Sequence, residues 1–140
     1  MKHNVSELEG ALLDAAVAQA QGRKWRIVEM LSEDFRFKAP TCLIAPTVGW
    51  DKRVSDFEVF MPSIDWAKTG PLIERERITV MADFDGWFAD ARHCYRKEPH
   101  EEGSWCTQGR GKTPLIAAMR AFVVSKLGEE IDLSESEATK

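Results

Sequence analysis

A chain of 140 residues, 44% hydrophobic and 30% charged, has the make-up of one soluble globular domain. No apolar run approaches the ~20 residues of a membrane helix, and seven Phe with five Trp exclude a chain disordered throughout. The formal charge of −4 resides in residues 129–140, where Glu129, Glu130, Asp132, Glu135 and Glu137 face Lys140 alone, so the rest sums to zero and lacks the positive excess of most nucleic-acid binders.

That distribution predicts a single domain over residues 1–128 and an acidic, disordered tail over 129–140. The opening "MKHNVSELEG" has no apolar stretch of the signal-peptide kind. Cys42, Cys94 and Cys106 are odd in number and far apart, as free thiols in a reducing compartment would be. Together these point to the cytoplasm.

In chain order, "VSELEGALLDAAVAQAQG" reads as the first helix. Ser6 and Glu9 form an S-x-x-E capping box, Leu8, Leu12, Ala15 and Ala16 share a face, and Gly22 marks the stop. From Trp25 to Phe60 the signals weaken. "WRIVEML", "FRFKAPTCLIA" and "VSDFEVF" are strand-like, but Pro40 and Pro46 argue against central strands. This part is expected to be irregular, with one or two edge strands. "MPSIDWAKTGPLIERERI" reads as a rigid loop, its backbone fixed by Pro62, Gly70 and Pro71. "ERITVMADFDGWFADARHC" reads as two strands around Asp85-Gly86. "YRKEPHEEGS" is a polar loop and "SWCTQGR" a third strand. Thr113 to Leu127 is the closing helix, with Leu115, Ile116, Met119, Phe122 and Val123 inward and Gly128 at its end. The fold class is therefore α+β: an N-terminal helix, an irregular region with edge strands, a three-stranded antiparallel sheet, and a C-terminal helix packed on the sheet.

Candidate chemistry is sparse. "CTQGRGKT" approaches the phosphate-binding pattern G-x-x-x-x-G-K-[ST], but Cys106 stands where the first glycine is needed. Only one helix and a polar tail follow, so Thr113 and Pro114 are expected as N-cap and first helical residue. His93, Cys94, His100 and Cys106 lack the spacing of a zinc site. No metal or cofactor is expected, and no nucleophile–base pair can be picked out. Arg92, Arg96, Lys97, Arg110, Lys112, Arg120 and Lys126 gather late in the chain. The helix–three strands–helix order is that of a double-stranded-RNA-binding domain, which would have Arg110 and Lys112 meet phosphates. The loop offers the other candidate site: Ser63, Asp65, Trp66, Glu74 and Arg75, an aromatic, two acids, a hydroxyl and a guanidinium on a constrained backbone.

Two stretches resemble a known family. "PSIDWAKTGPLIERERI" is similar to the P-S-x-D-W-A-x-x-G-P-I-I-E-R-E signature of the NinX-like phage proteins, and "KTPLIAAMRAFVVSKLGEEIDL" to their closing segment. The opening helix is a looser match, with Ala15 where the family commonly has Trp. The family more often reads G-P-T-P where this chain has Gly111-Lys112-Thr113-Pro114. The matches cover about half the chain. The resemblance implies a phage accessory protein in a bacterial cytoplasm and supplies no catalytic residues. It places Pro62, Ser63, Asp65, Trp66, Gly70, Pro71, Glu74 and Arg75 on signature positions.

The sequence thus points to a non-enzymatic accessory protein that binds a small ligand or a host protein, with countering of host defence as its use. Sequestration of a nucleotide signal is one form, with Trp66 stacking and Arg75 holding a phosphate. The alternative is a nucleic-acid-binding module. No membrane partner is expected, and self-association is left open.

Overall fold

The computed structural model describes residues 2–31, 38–45, 57–91 and 107–133. Among these the class is α+β, with every strand pairing antiparallel. The chain runs β1 (Lys2–Asn4), a 3₁₀ turn (Val5–Glu7), α1 (Gly10–Ala20), β2 (Trp25–Leu31), β3 (Lys38–Ile44) and β4 (Glu58–Val59). It continues through α2 (Trp66–Glu76), β5 (Ile78–Ala82), β6 (Trp87–Ala91), β7 (Thr107–Gly111), α3 (Pro114–Leu127) and β8 (Glu130–Asp132).

The C-terminal half follows the sequence reading closely. The Thr113 hydroxyl accepts from the Ile116 amide at 3.1 Å and Pro114 takes the first turn, so the segment is a capped helix start. The Gly128 amide closes the other end on Val124. Helix α3 lies on the β5–β6–β7 sheet and packs most closely over β7. Gly109 makes this possible: a Cβ there would fall 2.5 Å from the Ala121 amide nitrogen and closer still to the Ala117 carbonyl. Phe122 and Met119, both buried, fill the space beneath; each contributes about 1.5–3 kcal/mol.

The N-terminal half departs from expectation. No capping box forms. Ser6 belongs to the 3₁₀ turn, where its amide donates to Asn4 Oδ1 at 3.1 Å, and Glu9 makes no side-chain cap bond. Gly10, at φ +57, is the first residue of α1, so the helix starts after the expected capping box. Leu12, placed on the inner face by sequence, is exposed.

The region expected to be irregular contains a second three-stranded sheet, in the order β2–β3–β4. Pro40 sits in its middle strand opposite Glu29. The Ala45 amide donates to the Lys24 carbonyl at 3.0 Å, which makes that pair hydrogen-bonded. By alternation Glu29 and Pro40 are a non-bonded pair. The missing N–H of Pro40 faces away from β2, on the side where β4 pairs with Leu43 and Ile44 and the Phe60 amide bonds the Cys42 carbonyl, so no ladder bond to β2 is lost.

The loop expected from Pro62 to Arg77 is in large part a helix. Asp65 caps α2 by accepting from the Ala67 amide at 3.0 Å. Pro71 stands inside it on the exposed side, and Ala67, whose carbonyl loses its helical donor to the proline, is exposed too. Arg77, left-handed at φ 54, ends the helix.

Within the stretch expected as a tail, Glu130–Asp132 is a strand that pairs with Lys2–Asn4, and the Val5 amide donates to the Glu129 carbonyl; residues 134–140 lie outside the described residues. Helix α1 packs against β2, β3 and α3, and so joins the two larger sheets; α2 packs on α3 and β5.

Candidate functional site

The five residues expected to form a site fall on α2 and the corner before it, in different surroundings. Ser63 is buried. Its amide donates to Asp14 Oδ1 at 2.8 Å. Asp14 stands on α1 and is only 3% exposed. Burial drives its pKa up to about 6, and hydrogen bonding from Ser63 acts in the opposite sense. The buried Cys42 thiol is pushed up to about 12, chiefly by burial and then by the Asp14 charge. Pro62 is buried beside Ser63, and its carbonyl accepts from the Thr69 hydroxyl inside α2.

The corner is therefore fixed from both sides: Asp14 holds it to α1, Asp65 and Thr69 hold it to α2. From it two large apolar side chains reach into solvent, Ile64 at 69% and Trp66 at 57% exposure. Sequence reasoning passed over Ile64, and also Asp14. The signal for Asp14 was present, a lone acid within the apolar run "ALLDAAVA", which implies a buried partner.

Glu74 and Arg75 are exposed near the far end of α2. Nine residues separate Trp66 from Arg75. At 3.6 residues and 5.4 Å per turn that is about 180° around the helix and ~13.5 Å along it. The two side chains leave opposite sides, so the structure does not bring them together around one small ligand. Arg75 Nε lies 3.3 Å from Glu76 Oε2, and Lys126 Nζ lies 3.1 Å from Glu76 Oε1, which ties α2 to α3. The shallow cleft there, of about 460 Å³, is lined by Ala20, Gln21, Arg23, Arg75, Glu76, Phe122 and Lys126.

Arg110 and Lys112 lie at the end of β7 and the turn into α3. Arg110 is ion-paired with Asp83 and rests over the Phe88 ring, 5.1 Å from its centroid. Lys112 is exposed, its Nζ 4.0 Å from Glu9 Oε1. Gly111 ends an antiparallel edge strand, the wrong setting for a nucleotide loop. Arg120 is buried, and burial lowers its pKa. Its Nε and Nη2 donate to the Leu8 carbonyl at 3.1 and 2.9 Å, and its Nη1 to the Arg110 carbonyl at 2.6 Å. It therefore staples α3 to the N-terminal segment and to β7. A cleft of about 440 Å³ opens beside it, lined by Asn4, Ser6, Gly109, Arg110, Arg120, Val124 and Glu129. Its charged lining is two bases and one acid: Arg110, already paired with Asp83, the buried Arg120, and Glu129.

His93, Cys94, His100 and Cys106 lie outside the described residues, as do Arg92, Arg96 and Lys97. No helix among the described residues is long and apolar enough to cross a membrane. Among curated proteins, none matches the chain. A family model described as bacteriophage P22, NinX, matches residues 4–126, which takes in both three-stranded sheets, α1, α2, all but the last residue of α3 and the braced corner before α2. The chain belongs to the phage NinX family.

Proposed function

We propose that the chain is a non-enzymatic phage accessory protein that acts by docking on a host protein, with Ile64 and Trp66 as its anchors. The observation that carries this is the pair itself: two large apolar side chains in solvent, on a backbone held by Asp14, Asp65 and Thr69. Exposed apolar groups on a preordered frame lose little entropy on contact, and Trp is prominent among the residues that dominate interfaces. Family membership supplies the phage setting, and interference with a host defence is the use we assign to such docking.

Protein is favoured over the other partners considered from the sequence. A nucleotide gripped jointly by Trp66 and Arg75 would have to span a helix diameter. For nucleic acid, the described bases Arg110, Lys112 and Lys126 each stand within ion-pair distance of an acid, and Arg120 is buried.

The test compares the wild-type chain with Trp66→Ala and Ile64→Ala as baits in a bacterial lysate. A partner retained by the wild type should bind Trp66→Ala at least ~10-fold more weakly, as expected for an anchor worth over ~1.4 kcal/mol. The melting temperature of either variant should stay close to the wild type. Equal retention of the same partner by both variants would remove the proposal.

A further inference from the structure

Phe84, at the tip of the β5–β6 hairpin, is the most exposed of the large apolar residues described. We infer that this tip is a separate docking element, in which Phe84 enters an apolar pocket of a protein partner whose rim is basic. The inference does not rest on the reading of α2.

The tip is built to hold its shape. The Asp83 amide donates to the Gly86 carbonyl at 2.8 Å, and Asp83 Oδ1 accepts from the Phe84 amide at 2.8 Å. The other carboxylate oxygen of Asp83 pairs with Arg110, whose guanidinium is in turn seated on Phe88. Gly86 approaches the end of β7 so closely that a Cβ there would fall 2.5 Å from the Gly111 carbonyl oxygen. Asp83 thus fixes the backbone on both sides of Phe84, and Arg110 and Gly111 fix the tip to the neighbouring strand.

Nothing in this scheme needs a phenyl ring. Phe84 takes part through its backbone amide, which any residue but proline supplies. The ring projects into water and gains no burial within the chain. A rigid frame presenting a solvent-exposed aromatic is the arrangement in which contact costs least conformational entropy, and Phe is enriched at the buried centre of protein interfaces.

The charge around the tip decides the kind of partner. Asp83 and Asp85 flank Phe84, and the groove leading from Asp85 is lined by Glu7, Glu9, Arg110, Lys112 and Arg120. Among the exposed side chains four acids stand against two bases, and those bases already neighbour Asp83 and Glu9. A pocket bordered by Lys or Arg complements this rim; an acidic one would meet like charge.

The test places the photo-crosslinking residue p-benzoylphenylalanine at position 84 of the full chain, in bacterial cells with and without phage infection. Position 68, exposed on α2, serves as the control. The expected result is a discrete protein adduct from position 84 and none of that mass from position 68. The crosslinked peptide should be apolar with Lys or Arg beside it, and Asp85→Lys should reduce the yield at least ~10-fold. Purified Phe84→Ser should melt as the wild type does. The inference is overturned by the absence of any adduct specific to position 84, by adducts to a second copy of the chain, to lipid or to nucleic acid, or by a yield indifferent to Asp85→Lys. A large loss of stability in Phe84→Ser would also overturn it, since Phe84 would then be structural.

Discussion

Asp14 is the group whose replacement tests the packing scheme most directly. It is a buried acid whose pKa is raised from 3.8 to about 6 by burial. At about 1.4 kcal/mol per pH unit, that displacement corresponds to ~3 kcal/mol between the two ends of the window. For the sign, between these values the folded chain holds the proton that the unfolded chain has released. Stability from this group is therefore complete below the lower value, falls as pH rises through about 6, and is constant above it. Asp14→Asn keeps an acceptor for the Ser63 amide, now 2.8 Å from Oδ1, and cannot ionise. The stability of the Asp14→Asn variant relative to wild type should thus increase by ~2.5 kcal/mol between about pH 4 and pH 7.5. Urea unfolding of both proteins across that range, analysed as a difference, cancels the other titrating groups. A difference that stays flat within ~0.5 kcal/mol, on the order of the error of such extrapolations, would refute the assignment of Asp14 as a buried, ionisable anchor.

Two further outcomes follow from the close packing of α3. Gly109→Ala should cost at least ~2 kcal/mol in denaturant unfolding, because the added methyl overlaps helix backbone that has no room to give; a neutral result would mean β7 and α3 are further apart. Thr113→Ala should cost ~1 kcal/mol through the lost cap on Ile116. Lys112→Ala should change stability by less than ~0.5 kcal/mol, since its pair with Glu9 is exposed and loose, and titration calorimetry should find no ATP binding for Lys112→Ala to abolish.

Legibility in the sequence tracked how local each determinant is. The C-terminal helix was readable because its cap, its proline and its closing glycine all lie within the segment they define. The β5–β6 hairpin was readable from "DFDG", although no residue of that turn takes a positive φ and Asp83 closes it by its side chain instead. Helix α2 was misread because Gly70 and Pro71 outweighed the Asp65 cap and the inward Thr69 and Leu72, three residues apart. A proline is tolerated there because its side of the helix faces water. The β2–β3 pairing was obscured by Pro40, whose harmlessness depends on register and on how short β4 is. Strand β8 could not be read from its acidic composition, since its partner is the first strand of the chain. The candidate site was legible as a list of residues and illegible as an arrangement: Ser63 meets Asp14, 49 residues away, and helical phase parts Trp66 from Arg75.

The segment from Pro62 to Glu76 divides into side chains that hold and side chains that face out. Pro62, Ser63, Thr69 and Leu72 are buried, while Ile64, Trp66, Glu74 and Arg75 are exposed. The holding set includes an arrangement poor in stability for its size, a carboxylate kept out of water at neutral pH. Apolar residues of similar volume commonly stabilise such a position better than a buried charge does. What Asp14 supplies instead is geometry. It grips the Ser63 backbone one residue before Ile64 and three before Trp66. An apolar contact is non-directional and would let that backbone slide, whereas a buried hydrogen bond from the Ser63 amide to the carboxylate fixes it at a point. A stability loss of this kind is reasonable where position matters more than strength, and the two apolar side chains immediately beyond Ser63 are where that position is expressed.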